Sequence, residues 1–144
     1  MPFEESDADY LLYVFEKILG KLDSRCQGYN FCMIHILQSQ PTSEQMADML
    51  RQYDSMIKIV VDVRRRILAG GGEMHADCEE VLLDNGSEQD DLWGANWYPD
   101  DQHIEFESLI NIRPRLGNRS ILIQSEELCQ KVEGVAREIF GGLA

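Results

Sequence analysis

Apolar and polar residues alternate with a period of two along two stretches of the chain. They are Ile57–Val63 and Ile104–Arg113. Because successive side chains of a strand point to opposite faces, each stretch is predicted to be a β-strand with at least one covered face. The longer, Ile104–Arg113, is expected to place its isoleucines in the core and Asn111 and Arg113 on a polar face. Leu92–Tyr98 is its expected hairpin partner.

Apolar residues at helical spacing predict three helices in the same part of the chain. One begins after Thr42, where Gln45 completes a capping box. Another covers Ala76–Leu83, and the last runs from Ser125 to the glycine pair that begins at Gly141. Two further short strands are expected, at Met33–Leu37 and Ile67–Ala69.

These elements follow one another in the order β-α-β-β-α-β-β-α. This order predicts an α+β domain over residues 33–144, with a mainly antiparallel sheet of about five strands and three helices packed on one side. Residues 1–32 are expected to be an N-terminal extension, in which Tyr10–Leu22 forms one amphipathic helix. This extension is either an added helix or a segment that precedes a natural start at Met33.

The charge balance narrows the classes of partner. The formal net charge of −13 repels nucleic acid, and the adjacent Arg64, Arg65 and Arg66 are interpreted as a solvated hairpin tip. No apolar run approaches the roughly 20 residues that cross a bilayer. The four cysteines lack a CxxC spacing and follow no secretory signal. A cytoplasmic protein without a membrane role is expected, and no cofactor or metal motif is found.

The segment Arg113–Arg119 allows two interpretations. If the predicted hairpin forms, Arg113 and Arg115 lie beside Asp90 and Asp91 and form a structural ion-pair network. Alternatively, guanidinium and amide groups converge on a small anionic ligand, since both groups suit carboxylate or phosphate. The candidate ligand-binding residues are His75, Asn96, Arg113, Asn118 and Arg119.

His75 begins a predicted helix and stands four residues before Glu79, a spacing found in helical metal motifs. No second ligand pair accompanies it, so the acidic residues are interpreted as complementing the helix N-terminus. An enzyme reading uses His75 as a general base, with Asp77 or Glu79 nearby and an arginine as an anion clamp.

Trp93 and Trp97 could form an aromatic wall beside Asn96, although tryptophans at this spacing more often belong to a core.

Several separated motifs resemble one family of unknown function. They are Val61-Asp62-Val63, Ile67 to Glu80 with its three glycines, Asp90 to Asn96, and Ser108 to Pro114 followed by Gly117 to Ser120. Together they are similar to an uncharacterised prokaryotic domain family, DUF5674, from about Met33 to the C-terminus. The resemblance implies no activity, substrate or cofactor. The three arginines at the hairpin tip depart from the acidic or glycine-containing turn that the family implies there.

These features favour a small ligand-binding or regulatory protein with a candidate anion site. Two other classes remain open. One is an interaction module that uses the acidic surface or the N-terminal helix to bind a protein partner. The other is a small hydrolase-like enzyme that uses His75. Oligomeric state is not predicted.

Overall fold

The computed structural model describes residues 33–141 of the chain. The predicted N-terminal helix lies outside them. The elements are β1 (His35–Leu37), α1 (Ser43–Met49), β2 (Ile57–Asp62), β3 (Ile67–Gly70), α2 (His75–Asp84), β4 (Leu92–Tyr98), β5 (His103–Glu105) and α3 (Glu126–Phe140). Short 3-10 turns stand at Gln89–Asp91, Leu109–Asn111 and Pro114–Leu116. The predicted order of strands and helices is confirmed.

The five strands form one antiparallel sheet in the order β1-β3-β2-β4-β5. β2 is the central strand, as its run of apolar residues predicted, and every residue in it except Lys58 is buried. The hairpin from β2 to β3 turns at the three arginines, and β4 lies on the other side of β2. The fold is therefore the expected α+β arrangement.

Helices cover both faces of the sheet, so the expectation that they pack on one side is wrong. Ile57, Ile59 and Val61 share one core with α3 and with Met49 of α1. Val60, from the opposite face of the same strand, packs in a second core with Cys78 and Leu82 of α2. Periodicity within a helix shows which of its own faces is apolar but does not fix the side of the sheet that the helix covers.

Side-chain caps fix the ends of two helices as the sequence predicted. Thr42 and Gln45 form a reciprocal capping box at the start of α1. The Ser125 hydroxyl accepts a hydrogen bond from the Leu128 amide at the start of α3. Trp97 of β4 stacks on Phe140 near the other end of α3, with ring centroids 5.2 Å apart. These contacts hold α3 across one face of the sheet.

The arginines at the hairpin tip bind within the domain. Arg64 pairs with Asp91, Arg66 pairs with Glu138 of α3, and Arg65 donates hydrogen bonds to Asn85 and Ser87 after α2. The buried Asp62 holds the turn by accepting bonds from the amides of Arg64 and Arg65, at 3.0 and 2.8 Å. The tip is therefore a solvent-exposed turn, as interpreted from the sequence, and its arginines also pair with neighbouring elements.

The predicted strand Ile104–Arg113 is wrong beyond Glu105. After β5 the chain leaves the edge of β4, bridges through Glu107 to Leu122, and enters the 3-10 turn Leu109–Asn111. The Ser108 hydroxyl accepts a hydrogen bond from the Ile110 amide and caps this turn. Phe106 packs against the α3 core and Ile110 against the α2 core, so the segment passes from one face of the sheet to the other.

The side-chain amide of Asn111 occupies the edge of β4 that β5 leaves open. The Gly94 amide donates to Asn111 Oδ1 at 2.8 Å, and Asn111 Nδ2 donates to the Gly94 carbonyl at 2.9 Å. The two bonds reproduce the pairing that one strand residue would give. Asn111 is completely buried, whereas the alternating pattern placed it on a polar face.

Gly94 lies directly beneath the crossing segment. A Cβ atom built at this position would meet Ser108 Cβ at 2.5 Å and Ser108 Oγ at 2.7 Å. Ser108 therefore leaves no room for a side chain at this position of the strand. The segment that carries Ser108 also forms one wall of a cleft on the α2 face.

The first prediction concerns this close approach. Gly94→Ala should lower the free energy of unfolding by about 1–3 kcal/mol, because the added methyl group overpacks against Ser108. Gly134→Ala is the control, since a Cβ at that position in α3 meets nothing within 4 Å. It should raise stability by about 0.5–1 kcal/mol. Urea denaturation measures both changes.

Ser108→Gly in the Gly94→Ala background should recover part of the loss, because it removes the atoms that the new methyl group meets. A Gly94→Ala protein as stable as the parent would show that the segment does not cross here.

Candidate functional site

A cleft of about 240 Å³ opens on the α2 face of the sheet. Lys58 of β2 and Asn96 of β4 form its floor, and His75 at the start of α2 forms one side. The crossing segment contributes Glu107 and Ser108 to the opposite side. We call this the His75–Asn96 cleft. Its polar side chains come from four separate parts of the chain, and Glu107 and Ser108 join the other three because the segment after β5 crosses the sheet.

His75 is buried and in its neutral form near pH 7. Its Nε2 lies 2.8 Å from the Ala95 carbonyl oxygen, so this nitrogen carries the proton and donates it. Burial is the main cause that lowers the pKa of His75 to about 4, and the charge of Lys58 lowers it further, against the opposing hydrogen bond to Ala95. The other ring nitrogen, Nδ1, therefore has a lone pair.

The side-chain oxygen of Asn96 has no hydrogen-bond partner among the described residues, although the atom itself is buried. The amide lies near the ring of His75 and would accept a bond from it if the ring were protonated. The neutral ring has no second proton to give. Buried polar atoms in native proteins are nearly always paired, and an exception calls for an explanation.

Opposite charges stand on two sides of the cleft. Lys58 is the direct cross-strand partner of Asn96, so their side chains stand next to each other on the same face of the sheet. The Lys58 ammonium also lies 5.4 Å from the centre of the Tyr53 ring. Glu107 is exposed on the crossing segment. A ligand in the cleft would meet an ammonium donor, an amide acceptor and a carboxylate.

The rim of the cleft is apolar. Met74 is 53% exposed, Leu109 is 73% exposed and Ile121 is 37% exposed. A small molecule with an apolar body would cover these side chains while its polar groups reach the floor. This combination of apolar lining and a few placed polar groups is typical of ligand sites.

Arg113 does not contact Asp90 or Asp91 as the hairpin geometry predicted. Its guanidinium pairs with Glu79 of α2 at 2.8 Å, with both side chains largely buried, and it also donates to the carbonyls of Gln89 and Leu92. Burial raises the pKa of Glu79 and lowers that of Arg113. The predicted hairpin register failed here because the chain turns away before Arg113.

The remaining charges around this segment form exposed pairs. Arg115 makes a two-pronged ion pair with Asp90, and Asp91 pairs with Arg64. The hydrogen bond from Arg115 lowers the pKa of Asp90. Exposed pairs of this kind contribute little stability.

Arg113, Asn118 and Arg119 do not converge on one site. Asn118 is buried, and its Nδ2 donates to the carbonyls of Asn111, Ser120 and Leu122. Its Oδ1 accepts from the Gln124 amide. Arg119 is exposed, and Arg113 is held by Glu79. These residue types suit an anionic ligand. However, backbone groups already bind the Asn118 amide, and the Glu79 carboxylate already binds Arg113.

A second cavity of about 340 Å³ holds Glu79, Arg113 and Arg115. Its wall includes Leu109 and Ile110, which also line the His75–Asn96 cleft. His75 lines one cavity and Arg113 lines the other. The described residues therefore do not form a single concave site that contains both, as the hypothesis of a hydrolase-like enzyme required. The Glu79 carboxylate is engaged by Arg113 and not by His75.

Trp93 and Trp97 are buried in the α3 core. Asn96 lies on the opposite face of β4, because neighbouring strand residues point to opposite sides. The favoured interpretation of the two tryptophans as core residues is therefore confirmed, and the alternative of an aromatic wall beside Asn96 is wrong.

Lys58, Glu107 and Ser108 line the cleft but were not among the candidates from the sequence. Lys58 carried a usable signal, since it interrupts a strand whose other residues are apolar or buried. The segment with Glu107 and Ser108 was predicted as strand and gave no sign that it crosses the sheet.

The second prediction concerns His75 and pH. A folded pKa of about 4 against about 6.5 in the unfolded chain means that the unfolded state binds more protons between these values. The stability that the neutral ring contributes is complete above pH 6.5 and is lost as the pH falls toward 4. The loss is on the order of 3 kcal/mol.

His75→Gln should remove this pH dependence, and its amide can still donate to Ala95. Other titrating groups act equally in both proteins, so the measured quantity is the difference between their unfolding free energies from pH 4 to 8. A difference that does not change with pH would show that His75 is not held neutral.

A family model described as "Protein of unknown function (DUF5674)" matches residues 35–139. No curated protein and no solved structure matches the chain. Within residues 33–141, no helix has the length and apolar character needed to cross a membrane. The match spans more than half of the sequence and all eight elements of the sheet and helices, with α3 one residue longer. The chain therefore belongs to the DUF5674 family.

Proposed function

We propose that this protein binds a small molecule in the His75–Asn96 cleft. The observation that carries the proposal is the buried, unpaired oxygen of Asn96. Leaving such an atom without a partner costs about 1–3 kcal/mol. The oxygen has almost no exposed surface, so a bound molecule with a hydrogen-bond donor would satisfy it once the Asn96 side chain turns toward the cleft.

The other asparagines of the same region give this observation its weight. Asn111 and Asn118 are buried as well, and each has both its amide nitrogen and its oxygen bonded. The side-chain amides of Asn111 and Asn118 are therefore fully hydrogen-bonded within the protein. Asn96 differs in that its oxygen has no partner among the described residues, while its side chain lies beside the neutral His75 and lines an opening in the surface. Binding sites tolerate local instability of this kind because the ligand removes it.

We place this binding role in the cytoplasm. Cys78 and Cys129 are free thiols, and burial raises the pKa of Cys78 to about 12. A reducing compartment suits unpaired cysteines. The buried thiol is also inert as a nucleophile, so it is not a candidate for catalysis in this cleft.

The third prediction is that Asn96→Leu separates stability from binding. Leucine has a similar shape and no polar atom, so the variant should be as stable as the parent or more stable by about 1 kcal/mol. A library of small polar metabolites, screened by ¹H–¹⁵N NMR, should shift the amide signals of Lys58, Ala76 and Asn96 in the parent protein. The same compounds should not shift the cleft signals of Asn96→Leu.

Arg119→Ala is the matched control, because Arg119 is exposed and lines neither cavity. It should bind every compound that the parent binds. Compounds that perturb only the Arg113 cavity, or that bind Asn96→Leu as well as the parent, would contradict the proposal.

A further inference from the structure

The His75–Asn96 cleft offers different chemistry at neighbouring points. Lys58 supplies a positive donor, and Asn96 supplies an acceptor that lacks a donor. Cross-strand partners have Cβ atoms about 4.5–5.5 Å apart. Two groups carried by the same or adjacent atoms of a ligand could therefore reach both side chains.

The acceptor side of the cleft favours a cationic donor over a neutral one. Asn96 and Glu107 both line the cleft, and an amide oxygen or a carboxylate accepts hydrogen bonds but does not donate them. An ammonium group has three donors and a positive charge, so it matches this set better than a hydroxyl group does.

The donor side favours a carboxylate. Lys58 is the cation that lines this cleft, whereas Arg113 and Arg115 line the neighbouring cavity and are paired with Glu79 and Asp90. The lysine is half-buried, and a hydrogen bond between opposite charges is stronger than one between neutral groups.

The apolar rim accounts for the rest of the ligand. Met74, Leu109 and Ile121 surround the opening with no charge of their own. The cleft volume of about 240 Å³ suits a molecule of few heavy atoms, since drug-sized ligands occupy sites of roughly 300–1,000 Å³.

We infer that the cleft binds a free α-amino acid with an apolar side chain, with its carboxylate at Lys58, its ammonium at Asn96 and Glu107, and its side chain against Met74, Leu109 and Ile121. This inference rests on the proposed function and names the class of ligand. No covalent step is involved.

The test uses the full chain and three related probes in ¹H–¹⁵N NMR titrations. L-Leucine carries both charges, 4-methylpentanoate lacks the ammonium group, and 3-methylbutylamine lacks the carboxylate. L-Leucine should shift the amide signals of Lys58, Ala76 and Asn96. Each single-charge probe should bind at least tenfold more weakly, because one side of the cleft is then left unpaired.

Two variants assign the contacts. Lys58→Met should weaken L-leucine at least tenfold and leave the affinity for 3-methylbutylamine unchanged. Glu107→Gln should weaken L-leucine and the amine but not 4-methylpentanoate. Both positions are partly or fully exposed, so the variants should fold, and Arg119→Ala again serves as the unaffected control.

Equal affinity for L-leucine and either single-charge probe would overturn the inference, because the cleft would then not recognise both the carboxylate and the ammonium group. Absence of any shift with L-leucine would overturn it as well. In either case the metabolite screen decides the proposed function separately: other compounds that bind the parent but not Asn96→Leu would leave the cleft a binding site for a different chemical class.

Discussion

The paired hydrogen bonds between the Asn111 side chain and the Gly94 backbone determine the arrangement of this face of the domain. They complete the edge of β4 without a strand, so the chain after β5 is free to cross from one face of the sheet to the other. Gly94 permits the crossing because Ser108 occupies the space of a side chain. If a strand residue paired with Gly94 in place of the Asn111 side chain, the segment would continue along the sheet. The His75–Asn96 cleft would then lose a wall.

Three asparagines differ in how their side-chain amides are paired. Asn111 and Asn118 are bonded to backbone groups on both sides of their amides and replace the pairing that irregular chain cannot provide. Asn96 keeps an unpaired buried oxygen beside a neutral histidine. An unpaired atom opposes folding, whereas the two satisfied amides support it. This difference is the physical basis for placing ligand recognition at Asn96 and not in the arginine-rich segment.

Local patterns predicted the parts of the fold that local interactions determine. The alternation in β2 and the caps at Thr42 and Ser125 all correspond to observed elements. The same alternation was misleading after Glu105, because the contact of Ser108 with Gly94 joins positions distant in sequence. The predicted pairing of Arg113 failed for the same reason, since Arg113 pairs with Glu79 on a helix whose side of the sheet the sequence does not fix. His75 and Asn96 were identified as candidates by residue type, but their neighbours Lys58 and Glu107 required the tertiary structure.

Amide hydrogen exchange at Gly94 tests the central constraint most directly. If Asn111 replaces a strand, the Gly94 amide should exchange as slowly as that of Val60 in the adjacent central strand. In Asn111→Ala the Gly94 amide should exchange many times faster, while Val60 changes only by the global loss of stability. Rapid exchange of Gly94 in the parent protein, or an unchanged ratio of the two rates in the variant, would contradict the account.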